Sequence, residues 1–408
     1  MNDETTKKRI LFVMNCLRCG GVEKSFISVL SLFPQEKFDI TIEIIEKAGS
    51  LLLEVPSWIK IHELPLQFMD RYEFQHGNSA ALRYGITHFR WLYVCRTFVE
   101  RLFWLACRRN SDYNLMRLRH MVHRVKVDIP IEYDFLFSYG GMYYASTVAL
   151  ELFKAPVTAA WFHLETQNQR EGHEFYDRLY RHFDYRFCCS QKLADQLNAF
   201  YTPQGKAFTN FTYYLNPSLY EQLASAGKGF DDDFSGLRIL TVGRLEYQKG
   251  YDVAIKVLAR LKQAGYKVRW YAIGWGGCEA EYRKQIASLG LEKDFVLLGL
   301  QNNPYPYFKQ CDIYAQPSRF EGYCLTVAEA RVFNRPIVCT DFAGASEQIH
   351  SGENGLIVPE MTVEAFEMGV RILLDNEVLR SQFSETLSRE SADTETRVRA
   401  AWMNLLGE

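Results

Sequence analysis

The chain has no long apolar run. Ile10-Leu11-Phe12-Val13-Met14 is too short for a signal-peptide core. No stretch approaches the ~18–20 uninterrupted apolar residues of a transmembrane helix. The nearest candidate, residues 86–107, is broken by Arg90, Arg96, Glu100 and Arg101. A cytoplasmic protein is therefore expected. The ten cysteines are scattered rather than set in a framework, which suits free thiols in a reducing compartment. Cys16-Leu17-Arg18-Cys19 follows a strand and precedes a helix, where redox pairs sit, although chance readily produces one C-x-x-C among ten cysteines. Cys188-Cys189 and the pair His120/His123 have no second ligand pair at zinc spacing, so no metal is expected. Net charge is almost absent as well: 47 Lys and Arg against 49 Asp and Glu give −2, which argues against a nucleic-acid partner. Internal repeats and low-complexity tracts are missing too.

What is present is the composition of a globular α/β protein: 408 residues, 48% hydrophobic and 24% charged. That length suits two domains with cores of their own. Short apolar strand patterns alternate with helical ones in both halves, the mark of parallel sheets. In the first half, strands are expected at 9–14, 38–45, 135–138, 158–162 and 186–189. In the second they fall at 237–242, 268–273, 295–298, 313–316 and 337–340. Helices fit between the latter at 252–264, 280–289, 305–309, 325–333 and 343–350. A loop-like passage with Gly227, Gly229, Asp231-Asp232-Asp233 and Gly236 predicts a linker over 219–236. The domains would then span 1–218 and 237–385. A C-terminal piece, 386–408, carries a final polar helix from 390, with the first domain as one candidate packing partner. In open α/β sheets ligands bind beyond the carboxyl ends of the strands, so a nucleotide-type ligand is the default expectation.

Four loops carry suitable chemistry. Val242-Gly243-Arg244-Leu245-Glu246-Tyr247-Gln248-Lys249-Gly250 leads from a strand into a helix. Gly243 allows close backbone approach, and Arg244 and Lys249 supply two cations suited to a diphosphate. Gly274-Trp275-Gly276-Gly277 follows the next strand, where backbone N–H groups can face a phosphate. In Pro317–Ala330, Glu321 and Glu329 lie eight positions apart, one in a glycine loop and one inside a helix. The amides of Tyr323, Cys324 and Leu325, after Gly322, form the helix start between them. Carboxylates there accept from vicinal hydroxyls while the helix N-terminus takes phosphate. The fourth loop, Asn15–Glu23, holds Gly20-Gly21 after the first strand. It is not the G-x-G-x-x-G fingerprint, and no acidic residue is cleanly placed at the end of the second strand, which argues against NAD or FAD.

Taken together, residues 237–359 resemble the donor-binding domain of the retaining glycosyltransferases of family 4, "glycosyl transferases group 1", of GT-B fold. The matching segments are VGRLEYQKG at 242–250, PSRFEGYCLTVAEA at 317–330 and AGASEQIHSGENGLIVP at 343–359. GGVEKS at 20–25, WFH at 161–163, CCS at 188–190 and Asn216-Pro217 extend a looser likeness over the first half, except an insertion at about 66–128. The resemblance implies two Rossmann-like domains facing each other across a cleft. It implies a UDP- or GDP-linked sugar as donor, a glycan or lipid-linked acceptor, and no cofactor or metal. Arg244 and Lys249 would neutralise the diphosphate, Glu321 would contact the sugar hydroxyls and Glu329 the ribose. Gly20, Gly21, Gly243, Gly274, Gly276, Gly322, Tyr323, Cys324 and Leu325 would border the donor. His163 matches a histidine near the reacting centre, although on position alone a histidine after a strand is more often core. Two departures bear on donor choice: Trp275 replaces an acidic residue, and Ala345-Ser346 an aliphatic-Pro pair.

The insertion carries a local charge extreme. Ten Lys or Arg stand against Glu100 and Asp112 between Arg83 and Lys126. On a helix, Arg83, Arg90, Arg101 and Arg108 fall within about 20° of one another. Trp91, Cys95, Phe98, Leu102 and Leu105 form an adjoining stripe. This pattern suits a helix lying on an anionic membrane at the inner face of the plasma membrane, or one packed on its own domain with its arginines solvated. Function then divides between a retaining glycosyltransferase of surface polysaccharide biosynthesis, a nucleotide-sugar 2-epimerase, and a non-catalytic nucleotide-sugar-binding subunit.

Overall fold

A computed structural model describes residues 7–18, 20–65, 132–140, 143–163, 179–200 and 206–408, with scattered positions between 83 and 122. The chain divides into two compact units, residues 1–188 with 194–210, and residues 189–193 with 211–408.

The first unit holds a seven-stranded sheet in the order β3-β2-β1-β4-β5-β6-β7. Its strands are β1 (Lys8–Met14), β2 (Phe38–Ile44), β3 (Lys60–Glu63), β4 (Phe135–Ser138), β5 (Val157–Phe162), β6 (Tyr185–Cys188) and β7 (Phe208–Asn210). Every pairing is parallel. Helix α1 (Gly21–Leu30) follows β1, and α2 (Tyr143–Leu152) follows β4. Apolar residues occupy both faces of the central strands, as in KRILFVM of β1, whose last five residues are buried. The edge strand β3, Lys-Ile-His-Glu, is mostly exposed and polar. Its sequence carries no apolar alternation, which is why it escapes a pattern reading.

The second unit holds a six-stranded sheet, also wholly parallel, in the order β10-β9-β8-β11-β12-β13. Strands β8 (Leu237–Val242), β9 (Val268–Ile273), β11 (Ile313–Gln316) and β12 (Ile337–Thr340) have the expected bounds. Strand β10 runs Phe295–Gly299, and β13 (Leu356–Val358) is an additional edge. Helices α3 (Pro217–Ser225), α4 (Tyr251–Gln263), α5 (Glu279–Ser288), α6 (Tyr305–Gln310), α7 (Leu325–Val332), α8 (Val363–Asp375) and α9 (Glu377–Leu406) surround it. The core includes Trp270, whose indole donates to Thr241 Oγ1 at 2.9 Å. That hydroxyl donates in turn to the Ala315 carbonyl at 2.6 Å, so a buried ring nitrogen is satisfied inside the sheet.

Two expectations change here. Residues 219–236 are not a plain linker: their first part lies in α3, capped by Asn216, whose side chain accepts from Ser218 and Leu219 N–H. The final helix begins at Glu377 rather than near 390, because the Asn376 side chain caps it by accepting from Leu379 N–H. That helix groups with the second unit and buries Phe383 and Leu387. The basic insertion falls almost wholly outside the described residues.

Candidate functional site

The strand order of the second sheet reverses between β8 and β11, so the loops leaving these two strands diverge around a crevice at their carboxyl ends. Loop 243–250 leaves β8 and loop 317–324 leaves β11. The two are stitched together. Arg319 N–H donates to the Gln248 carbonyl at 2.8 Å, and Gln248 Nε2 to the Phe320 carbonyl at 2.9 Å. Arg319 forks onto Asp252 with bonds of 2.8 and 2.7 Å, donates to the Tyr247 carbonyl, and lies 3.8 Å over the Tyr247 ring. Gly250, at φ +69°, ends the short turn at Tyr247–Lys249 and opens α4; a Cβ there would collide with the Pro317 carbonyl.

This stitching brings Lys249 onto Glu321: Nζ donates to Oε1 at 2.5 Å, with both side chains largely buried. Burial works against the Lys249 ammonium. The Glu321 carboxylate and its hydrogen bond more than offset that, leaving the lysine above its ordinary value and charged. Glu321 Oε1 also accepts from Ser318 Oγ at 2.9 Å, and Ser318 accepts from Gln316 Nε2 at 2.9 Å. Gln316 Oε1 in turn accepts from Tyr314 OH at 2.6 Å and Thr326 Oγ1 at 3.2 Å.

Helix α7 starts beside this pair. Its cap residue, Cys324, sits at φ 65° in the left-handed region. Burial pushes the Cys324 thiol up to about 12, with Glu321 adding to the rise and Lys249 opposing it. Among the described residues nothing accepts from the amides of Tyr323, Cys324 and Leu325, leaving the helix start able to bind an anion. Gly322 precedes them, and the Tyr323 carbonyl accepts from Gln348 Nε2. Arg244 is exposed, its Nη2 3.3 Å from Gln248 Oε1.

Other expected residues are placed differently. Glu329 lies in α7 but is only 2% exposed, accepting from Tyr305 OH at 3.2 Å. The glycine turn packs against loop 243–250 through its backbone. Leu245 N–H donates to the Trp275 carbonyl and Cys278 N–H to that of Leu245, each at 2.9 Å. Gly274, at φ +150°, and Gly276 leave room for the carbonyls of Gly243 and Leu245. The amides of Gly274 and Gly277 donate to the Gly299 carbonyl and to Glu246 Oε1, so these two are spent inside the protein. Trp275 itself is 62% exposed.

In the first unit, Gly20 precedes α1 and its carbonyl accepts from Lys24 N–H at 3.1 Å; Gly21 opens the helix. The Glu23 carboxylate folds back over Gly20, and burial raises its pKa. His163 directly follows β5, its Nε2–H donating to the Tyr139 carbonyl at 2.7 Å. Burial lowers its pKa to about 4, so the ring is neutral at pH 7. Of the insertion, Arg83 and Arg90 are exposed, as are Trp91 (53%) and Phe98 (62%). Arg101 and Arg108 lie outside the described residues. Among the described residues no helix is long and apolar enough to cross a membrane, and no group of three His, Cys, Asp or Glu is placed to hold a metal.

Sequence reasoning gave no role to Ser318, Arg319, Asp252 or Gln316. The usable signal was Gln316, a polar residue closing an otherwise apolar strand pattern.

Residues 235–389 match the family model described as glycosyl transferases group 1. A Campylobacter jejuni protein named N-acetylgalactosamine-N,N'-diacetylbacillosaminyl-diphospho-undecaprenol 4-alpha-N-acetylgalactosaminyltransferase is 33% identical over 172 residues, 41% of this chain and 46% of that protein. The chain spans less than half the length of the curated relatives it matches. Among solved structures, Anabaena HepE in complex with UDP-glucose aligns with 98% of this chain and 99% of its own at TM-score 0.64 and 15% identity. TarM aligns with all of both chains at TM-score 0.68 and 12% identity. With two parallel-sheet Rossmann-like units, these likenesses give the fold as GT-B.

Proposed function

We propose that this protein is a retaining, metal-independent glycosyltransferase of family 4. It would move a sugar from a UDP- or GDP-linked donor to a glycan or lipid-linked acceptor in surface polysaccharide biosynthesis. The observation that carries this reading is the cluster of Lys249, Glu321 and the unengaged amides of residues 323–325 at the crevice of the second sheet. Its three parts match a nucleotide sugar in order. The amides and Lys249 take the diphosphate, with Arg244 adding a second cation, and Glu321 takes a sugar hydroxyl. Lys249 has N–H groups beyond the one given to Glu321, so one ammonium serves carboxylate and phosphate together. Glu329, holding Tyr305 OH through Oε1, would contact the ribose.

Glu321 is committed to Lys249 and Ser318, which leaves it poorly placed as a covalent nucleophile. A front-face step follows. The bond from the anomeric carbon to the phosphate oxygen breaks, the bond to the acceptor oxygen forms on the same face, and the acceptor proton passes to the departing phosphate oxygen. The protein contributes orientation and stabilisation of the diphosphate charge. A thermal-shift panel of nucleotide sugars, followed by hydrolysis and transfer assays, tests the reading. Loss of at least ~100-fold turnover in Glu321→Ala supports it; near-normal transfer by that variant overturns it. Interconversion of donor without any acceptor would identify an epimerase instead.

The helix expected through Arg83 and Arg90 is interrupted at His88 and Arg90, so Arg83 stands on a separate helical segment from Trp91 and Phe98. The exposure of Arg90, Trp91 and Phe98 supports a second contact, with an anionic membrane surface at the inner leaflet. Co-sedimentation with anionic vesicles at low salt supports it, and failure to bind there rejects it.

A further inference from the structure

We infer that Gln316 is a positioning residue that holds the Glu321 carboxylate and the start of α7 in one register, so that sugar and phosphate are gripped at a set separation. The inference rests on the glycosyltransferase reading and concerns how its site is built. Gln316 closes β11 and is fully buried. Burying a primary amide is costly unless its donors and acceptor are matched. Here the amide is used in two directions. Its Nε2 donates to Ser318 Oγ, which spends its own proton on Glu321. Its Oε1 accepts from Tyr314 OH and from Thr326 Oγ1, in the first turn of α7. Gln316 is thus the one side chain of this chain of bonds that reaches both the loop bearing Glu321 and the helix start. The direction of the bonds matters too. Because Gln316 donates to Ser318, the serine hydroxyl is left to donate toward Glu321 rather than away from it. An apolar residue of similar size would fill the space and lose both links.

Titratable groups face this amide from the loops after β8 and β11, from α4 and α7, and from the strands themselves. Lys249 and Glu321 lie ahead, joined to each other. Glu329 stands on α7, while Cys339 follows on the neighbouring strand β12 in register with Gln316. The phenols of Tyr314 and Tyr251 and the thiols of Cys324 and Cys339 are neutral, burial having raised all four.

Two variants separate positioning from simple support. Gln316→Leu removes both links. Its kcat should fall roughly ten- to hundredfold, as small misplacements at a reacting centre do, with donor KM changed less than about threefold because the α7 amides still hold phosphate. Gln316→Glu introduces an acid that mimics the amide only when protonated, with one O–H for Ser318 and a carbonyl oxygen for Tyr314 and Thr326. Once ionised it can only accept, and it draws the serine proton away from Glu321. Activity of Gln316→Glu, relative to wild type at each pH, should be near normal at pH 5.5 and fall at least about tenfold by pH 8. A merely structural role gives a loss that does not depend on pH. Parallel pH profiles for Gln316→Glu and wild type, or a normal kcat in folded Gln316→Leu, overturn the inference. Wild-type activity lost in Glu321→Ala but untouched in both Gln316 variants rejects the inference and leaves the function standing. A wild type inert towards every nucleotide sugar overturns both.

Discussion

The ammonium of Lys249 lies 2.5 Å from the Glu321 carboxylate, although 72 residues separate them in the chain. Both side chains are largely buried, and each is the other's ion-pair partner. Removing one partner of a buried pair costs more than removing both, because the survivor stays buried and uncompensated. Lys249→Met and Glu321→Gln should each lower unfolding free energy by about 3 kcal/mol, and the double variant by clearly less than the sum. Denaturant titrations of the four proteins check this; additive losses would show that the pair is not coupled.

Cys324 tests the backbone at the start of α7. A residue with a Cβ in the left-handed region costs about 1 kcal/mol or more, and glycine is free of that cost. Cys324→Gly should therefore be more stable than Cys324→Ala by about 1 kcal/mol, both having lost the sulfur. In the native protein the thiol, raised to about 12, should resist alkylation at pH 8, where only a trace is thiolate. Equal stabilities, or labelling as fast as in the unfolded chain, would contradict the geometry.

His163 tests the first unit. Its folded pKa of about 4 lies below the unfolded value near 6.5, so the unfolded chain binds the proton more readily between those limits. Stability from this group is complete above pH 6.5 and is lost as pH falls towards 4, to a total on the order of 3 kcal/mol. His163→Gln should lose correspondingly less stability than wild type between pH 7 and pH 4. Unfolding curves at the two pH values decide; identical losses would mean that the ring is not held neutral.

Arg319 tests the stitching between the two loops. Its planar fork meets both oxygens of Asp252 while stacking on Tyr247, which a lysine cannot reproduce. Arg319→Lys should lower stability by roughly 1–2 kcal/mol and lower turnover through the displaced Lys249. Arg319→Lys with unchanged melting temperature and turnover would show that the loops hold without it.

Much of the second unit is legible in the chain because its inner strands are short, mostly apolar runs buried on both faces. Four of the six have their expected bounds. Three of the four edge strands escape for a physical reason: β3 is exposed and polar, and β7 and β13 have three residues each, too few for a period to register. The final helix starts earlier than the sequence pattern predicts because its first turns carry only scattered apolar residues, Val378, Leu379, Phe383 and Leu387, and its start depends on the cap at Asn376.

The site divides in the same way. Local sequence determined that Arg244 and Lys249 follow one strand, that Glu321 and Glu329 bracket a helix start, and that glycines stand in the loops between. These are properties of neighbours in the chain. Tertiary structure decided the rest. The reversal of strand order between β8 and β11 sets loops 72 residues apart side by side and turns two separate charges into one buried pair. Folding also turns Glu329 inward to Tyr305 and spends two glycine-turn amides on the Gly299 carbonyl and the Glu246 carboxylate. It also makes Gln316, a single polar letter at the end of an apolar strand, the residue that links carboxylate and helix. Which polar groups meet inside a parallel sheet is set by strand order and burial, and neither is written in the spacing of neighbouring residues.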